Sequence, residues 1–190
     1  MHPPAVVRAL LLGTAAVWVI LELRQSLHRR PEAAHHDGGS RPVLRVCIVA
    51  GVLAGVAARH GVPGATISPA GVWAWVGLAL FCGGVGLRVW SFQTLGRYFT
   101  FTVQTSRDQP VIRAGPYRVV RHPSYAGMLL ALTGIGVLIG NWLSLVCLVG
   151  GALGGLVYRI TVEERALLRD VGEDYRRYAE THKRLVPWVW

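Results

Sequence analysis

Five apolar runs, parted by short polar breaks, leave this chain few ways to fold in water. They cover residues 6–23, 43–58, 70–89, 125–139 and 142–157. A bilayer-crossing helix needs about 20 residues, with a range of roughly 17–25. The second, fourth and fifth runs are therefore short for spans. Only Gly140 and Asn141 separate the last two, which predicts a tight helical hairpin. A soluble alternative would need a polar surface, yet only 16% of the residues are charged and 52% are hydrophobic, against about a quarter charged in soluble domains. Residues 1–23 have the look of a signal peptide, but no small-x-small cleavage site follows Glu22 and Arg24, so the segment reads as an uncleaved span. The fold class expected is an all-α integral membrane protein with about five transmembrane helices.

Charge placement orients those helices. The formal net charge is +10, and all but one of the 20 basic residues are arginine. Arg24, Arg29, Arg30, Arg41 and Arg45 lie between spans one and two. Arg88, Arg97, Arg107, Arg113, Arg118 and Arg121 lie between spans three and four. The tail from Arg159 onward carries the rest, and only Arg8 and Arg59 fall on the other side. The positive-inside rule then puts the N-terminus outside and the C-terminus in the cytoplasm of the cell membrane. An odd number of spans demands the same arrangement. Read this way, the basic excess is a topology signal with added attraction for membrane lipids. No basic tract is long enough to follow a phosphate backbone, so nucleic acid is not expected as a partner.

Gly51/Gly55, Gly136/Gly140, Gly150/Gly154 and Gly151/Gly155 have the small-xxx-small spacing that lets helices approach closely. Cys47, Cys82 and Cys147 stand alone inside apolar runs, which supports neither a disulfide framework nor a zinc site. Residues 35–40 read as a polar loop, with its His-His-Asp a solvated turn, and no metal is expected. The chain reads as one membrane domain over 1–190, with three N-terminal spans in 1–90 and a catalytic region in 91–190.

Two polar stretches are too patterned to be simple connectors, and both fall on the cytoplasmic side. The first, GRYFTFTVQTSRDQPVIRAGPYRVVRHPSYAG over 96–127, has β-branched and aromatic residues on either side of Asp108-Gln109-Pro110. That pattern suggests a short hairpin at the membrane surface. Gly115-Pro116 marks a turn, and His122-Pro123 marks a helix start whose free N–H groups suit an anionic or electron-rich ligand. The second continues from span five as YRITVEERALLRDVGEDYRRYAETHKRLVPW. Glu163 and Glu164 fall one to two turns past the apolar run. Gly172 breaks the helix, and 174–182 forms a last short one with Tyr175 and Tyr178 on one side. Carboxylates so near a bilayer are unfavourable without compensation, and the last two spans bring both stretches to one cleft.

GPYRVVRHPSYAG, followed after a helical hairpin by EERALLRDVGEDYRRY and Pro187, resembles the isoprenylcysteine carboxyl methyltransferase family, within a wider group that includes membrane phospholipid methyltransferases. The resemblance covers roughly residues 90–190. It implies an S-adenosylmethionine-dependent methyltransferase without a Rossmann domain, and no GxGxxG after a strand is present. By resemblance, His122, Pro123, Tyr125, Gly127, Glu163 and Glu164 line the cofactor, and Gly115, Pro116 and Tyr117 form the neighbouring turn. Arg121 matches a position that steers the acceptor. Arg121, His122 and Glu164 are the implied catalytic residues.

The sequence departs from the animal enzymes in having fewer spans and no evident region for a protein substrate. Its Arg-, Gly- and Ala-rich composition suggests a bacterial source. The expected acceptor is a small lipophilic molecule entering from the bilayer, methylated on a carboxylate or hydroxyl. A membrane NADPH-dependent reductase of the steroid-reductase type is the nearest rival, because residues 121–127 also fit its R-x-P-x-Y-x-G pattern. That type places an acid after the glycine, where this chain has Met128, and lacks the paired glutamates. A non-enzymatic lipid-binding membrane protein is the second rival.

Overall fold

The structure, a computed structural model, describes residues 4–26, 34–35, 38–67, 71–96, 104–105 and 110–190. The regular structure among the described residues is helical apart from a two-residue ladder and two isolated bridges. In order come α1 (Ala5–Ser26), α2 (Ser40–Gly61), α3 (Val72–Leu95), α4 (Pro123–Ile139), α5 (Trp142–Asp170) and α6 (Glu173–Thr181). Helices α1, α2, α3 and α5 are long and apolar enough to cross a membrane, whereas α4 has 17 residues. The protein is an integral membrane protein.

The second and fifth runs looked short because apolar limits mark hydrocarbon, not helix ends. Helix α2 extends to 22 residues by taking in residues 40–42 and 59–61, and α5 continues to 29 residues, past Glu163 and Glu164. A helix satisfies its own backbone, so it crosses the polar boundary without penalty.

The helices follow one another as a row of neighbours. Helix α1 packs on α3, α3 on α4, α4 on α5 and α5 on α2. Glycines set the two closest contacts. Between α2 and α5, a Cβ at Gly51 would meet the Cys147 carbonyl at 2.8 Å, and one at Gly151 would meet the Cys47 carbonyl at 2.7 Å. Gly55 and Gly155 lie on the same seam, as their spacing predicted. Gly150 and Gly154 face open space instead. Between α3 and α4 the seam repeats every seven residues: a Cβ at Gly84 would meet the Gly127 carbonyl at 2.5 Å, and one at Gly134 the Gly77 carbonyl at 2.5 Å. A search limited to four-residue spacing passes over this pair of heptads.

The α4–α5 turn is made by Gly140, at φ 75°, and by Asn141, whose side-chain oxygen accepts from Ser144 N at 2.9 Å. The Asn141 amide also donates to Val62 O at 3.0 Å, tying the turn to the end of α2. Capping and crosslinking by one buried asparagine hold three helices at this end. Exposed Trp73, Trp75 and Trp142 occur there, as amphipathic rings do at a membrane interface.

The other end carries the polar stretches. The surface hairpin expected around Asp108-Gln109-Pro110 lies mostly outside the described residues, and Val111 and Ile112 have no regular structure. Gln104–Thr105 (β2) pairs antiparallel with Ala34–His35 (β1), a partner from the segment expected to be only a loop. Ser40, expected in that loop, is buried and opens α2. Gly172, at φ 71°, separates α5 from α6 as anticipated, and Lys183 then pairs in parallel with Val120.

Candidate active site

Proline sets where α4 begins. Its fixed φ and missing N–H suit the first helical position, with His122 just outside. The residue before it, Arg121, and His122 both give their backbone N–H groups to the C-terminal tail, at Lys183 O (2.8 Å) and Arg184 O (2.9 Å). Tyr125 N and Ala126 N both donate to His122 O at 3.1 Å. These bonds use donors that the sequence alone leaves free for a ligand. The tail takes that place because residues 183–184 run alongside 120–122, with Lys183 bridged in parallel to Val120.

Glu164 is the hub. It is buried, and its Oε1 forms an ion pair with Arg121 Nη2 at 3.1 Å and lies 3.2 Å from His122 Nε2. Its Oε2 accepts from Arg184 Nε at 2.9 Å and lies in an ion pair 2.9 Å from Arg184 Nη2. Two guanidiniums against one carboxylate offset the cost of burying the charge. Arg121 further donates to Ala179 O on α6 at 3.1 Å.

Glu163 belongs to a second, adjoining chain. It accepts from Tyr125 Oη at 2.8 Å, and that hydroxyl in turn accepts from Arg159 Nε at 2.9 Å. Buried Arg159 donates onward to Ser40 Oγ at 2.9 Å, on α2. The His122 and Tyr125 rings stack at 5.6 Å between centroids, so the two chains meet.

The Gly115–Arg118 3-10 turn stands beside them. Gly115 has φ 52°, and a Cβ there would meet Thr94 Oγ1 at 2.7 Å, so only glycine fits against the end of α3. Pro116 and Tyr117 are buried, and Tyr117 O accepts from Tyr178 Oη at 2.7 Å. Burial pushes the Tyr178 phenol up to about 12, with Arg121 and Arg113 opposing. Burial, then Glu163, raises Tyr117 well above the ordinary tyrosine range; for Tyr175 burial is followed by Glu164. These phenols stay protonated, and Tyr178 acts as a donor.

Of the residues singled out from sequence, Arg121, His122, Tyr125, Glu163 and Glu164 come together. Gly115, Pro116 and Tyr117 lie alongside. Pro123 is buried at the α4 start, and Gly127 faces the α3 backbone, where its lack of a side chain serves packing. Sequence reasoning missed Arg184, Ser40 and the linking role of Arg159. It also missed the buried Arg88, which is paired with Glu22 of α1 and donates to Ser124 Oγ at 2.8 Å. The signal for the last was present: an acid and an arginine near span ends on one predicted side call for each other.

S-adenosylmethionine carries an ammonium, a carboxylate, ribose hydroxyls and a sulfonium. The site offers complementary groups in a partly dry setting: two adjacent carboxylates, with Arg121 and Arg184 as cations. Two buried atoms in it, Arg121 Nε and Tyr175 Oη, have no hydrogen-bond partner. Orphaned donors of this kind are expensive unless a ligand or water meets them. The residues therefore fit that cofactor.

The profile of the phospholipid methyltransferase family matches residues 72–173, from the start of α3 to the start of α6. Protein-S-isoprenylcysteine O-methyltransferase B of Arabidopsis thaliana is 31% identical over 115 residues, covering 60% of this chain and 58% of its own length. The protein-S-isoprenylcysteine O-methyltransferase of Schizosaccharomyces pombe is 30% identical over 114 residues, 59% of this chain and 48% of its own. The matches thus span less than two thirds of these relatives. A solved eukaryotic intramembrane Ras methyltransferase, an isoprenylcysteine carboxyl methyltransferase, shares the fold with a TM-score of 0.56 and 23% identity, over 78% of this chain and 53% of that one.

Proposed function

We propose that this protein, which belongs to the phospholipid methyltransferase family, uses S-adenosylmethionine to methylate a carboxylate or hydroxyl of a small lipophilic acceptor. The supporting observation is the convergence of α4 and α5: Arg121 and His122 meet Glu164 within 3.2 Å, one residue from Glu163 and its Tyr125 partner. The named relatives are O-methyltransferases, and neither the reductase nor the lipid-binding rival gains support from them.

When bound, the cofactor supplies a methyl group made electrophilic by its sulfonium. The chain's part is to hold, align and exclude water, which is most of what an in-line displacement needs. Glu163, half-buried and engaged by one phenol, is the carboxylate we assign to the cofactor ammonium. Glu164 has cationic partners on both oxygens, so its role is to hold Arg121, Arg184 and His122 in place. Arg121 is then set to receive an anionic acceptor. Tyr125, Pro123 and the Gly115–Tyr117 turn complete the wall. A carboxylate acceptor needs no base. A phenol or enol with a pKa near 10 would need one, and His122 is the residue placed for it.

The isoprenylcysteine substrates are those of the named relatives. For this chain we favour a small isoprenoid, lipid or polyketide-like acceptor of a bacterial cell membrane, entering sideways while the cofactor enters from the cytoplasm. The N-terminus then lies outside, with five spans and the catalytic region in 91–190. The deciding experiment incubates membranes holding the protein with methyl-labelled S-adenosylmethionine. Label is expected in a lipid-phase product. Label in protein would overturn the small-molecule acceptor, and saturable binding of NADPH but not of S-adenosylmethionine would overturn methyl transfer.

A further inference from the structure

At the end of the bundle away from the glutamates, α2, α4 and α5 part to leave a cavity of about 280 Å³. Its walls are Val52, Val56, Leu132, Ile135, Ile139 and Leu148. The one hydroxyl there, Ser144 Oγ, is spent on Gly55 O at 2.6 Å. Val52, Val56 and Ile139 are exposed, so the cavity opens sideways, towards the hydrocarbon of a bilayer. Along α4 it lies about 20 Å from His122, at 1.5 Å rise per residue.

Arg59 and His60, both exposed, close its outer rim. Arg59 is out of place by charge, since only Arg8 shares its end of the bundle among the basic residues described. Every acidic residue described, Glu22, Glu163, Glu164, Asp170, Glu173, Asp174 and Glu180, lies at the opposite end. The protein therefore supplies no counter-charge to this rim among its described residues. An apolar slot open to lipid, with a cation at its mouth, is complementary to a chain that ends in an anion.

We propose that the α2–α4–α5 cavity binds one acyl chain of an anionic phospholipid, whose phosphate meets Arg59 and His60. The site is separate from the methyl-transfer centre and does not depend on that reading.

The test uses the full chain purified in detergent, with phosphatidylglycerol and phosphatidylcholine of matched chains compared by native mass spectrometry. Wild type is expected to retain phosphatidylglycerol about fivefold better for each basic group engaged. Arg59→Gln should remove about fivefold of that preference, lowering retention of phosphatidylglycerol more than that of phosphatidylcholine, whose choline offsets the phosphate charge. Val56→Trp, at an exposed position that tolerates bulk, should fill the slot and reduce retention of both. A photoreactive acyl chain should mark Leu132, Ile135 or Leu148. Equal retention of the two lipids by wild type would overturn the proposal, as would marks confined to the glutamate end. Displacement by an uncharged farnesyl compound, with Arg59→Gln showing no effect, would identify the cavity as an acceptor-tail site and overturn it too.

Discussion

Glu163 and Glu164 are neighbours in sequence with different surroundings, and substitution should separate them. Glu164→Gln leaves Arg121 and Arg184 without their carboxylate, and breaking such a buried pair costs about 3–5 kcal/mol. The expected outcome is a lower unfolding midpoint in detergent together with lost cofactor binding. Glu163→Gln should keep the midpoint nearly unchanged. If Glu163 meets the cofactor ammonium, losing a charged hydrogen bond worth roughly 1.5–3 kcal/mol weakens S-adenosylmethionine binding by about 10- to 150-fold. An unchanged Kd in equilibrium binding would contradict that role. Tyr178 makes a separate pH prediction. Its phenol titrates near 10.0 unfolded and about 12 in the fold, so the fold holds the proton more tightly. The stability it contributes is complete below about pH 10 and is lost as the pH rises towards 12. Tyr117 and Tyr175, also raised, steepen the same decline. Tyr178→Phe should make unfolding midpoints fall less over that window and leave the neutral range alone.

Helix pairs decide whether those residues meet at all. Position 84 faces backbone across the α3–α4 seam, and a side chain there has nowhere to go. Overpacking of this kind costs about 1–3 kcal/mol, so Gly84→Val should lower the midpoint clearly. Gly86→Val and Gly150→Val, where a Cβ meets nothing within 4 Å, should do far less. Equal effects at all three would deny the seam. The spacing of α2 and α5 was legible in the chain because four-residue glycine pairs stand out. The α3–α4 seam was legible only in part, since a seven-residue interval says nothing about which helix faces which.

Taken whole, the described residues keep their ion pairs at one end of the bundle and apolar surface over most of the rest. With the basic end cytoplasmic, a reporter active only in the cytoplasm should work when fused after Trp190 and fail when fused before Met1. An alkaline phosphatase fusion should behave the opposite way. The same reporter working at both termini would contradict the odd span count proposed.

Apolar runs, arginine placement and the RHPSY and EE motifs are local, so the chain alone determined a membrane fold, the two segments of the candidate site and the family they resemble. Helix ends were displaced because hydrophobicity marks hydrocarbon, while backbone hydrogen bonding carries α2 and α5 beyond it. Which charges neutralise each other depends on contacts between distant segments. Only the tertiary structure brings Arg184, twenty residues beyond Glu164, back against it, and sets Ser40 beneath Arg159. The same folding spends donors at the α4 start on the tail, because residues 183–184 laid beside residues 120–122 satisfy them within the chain.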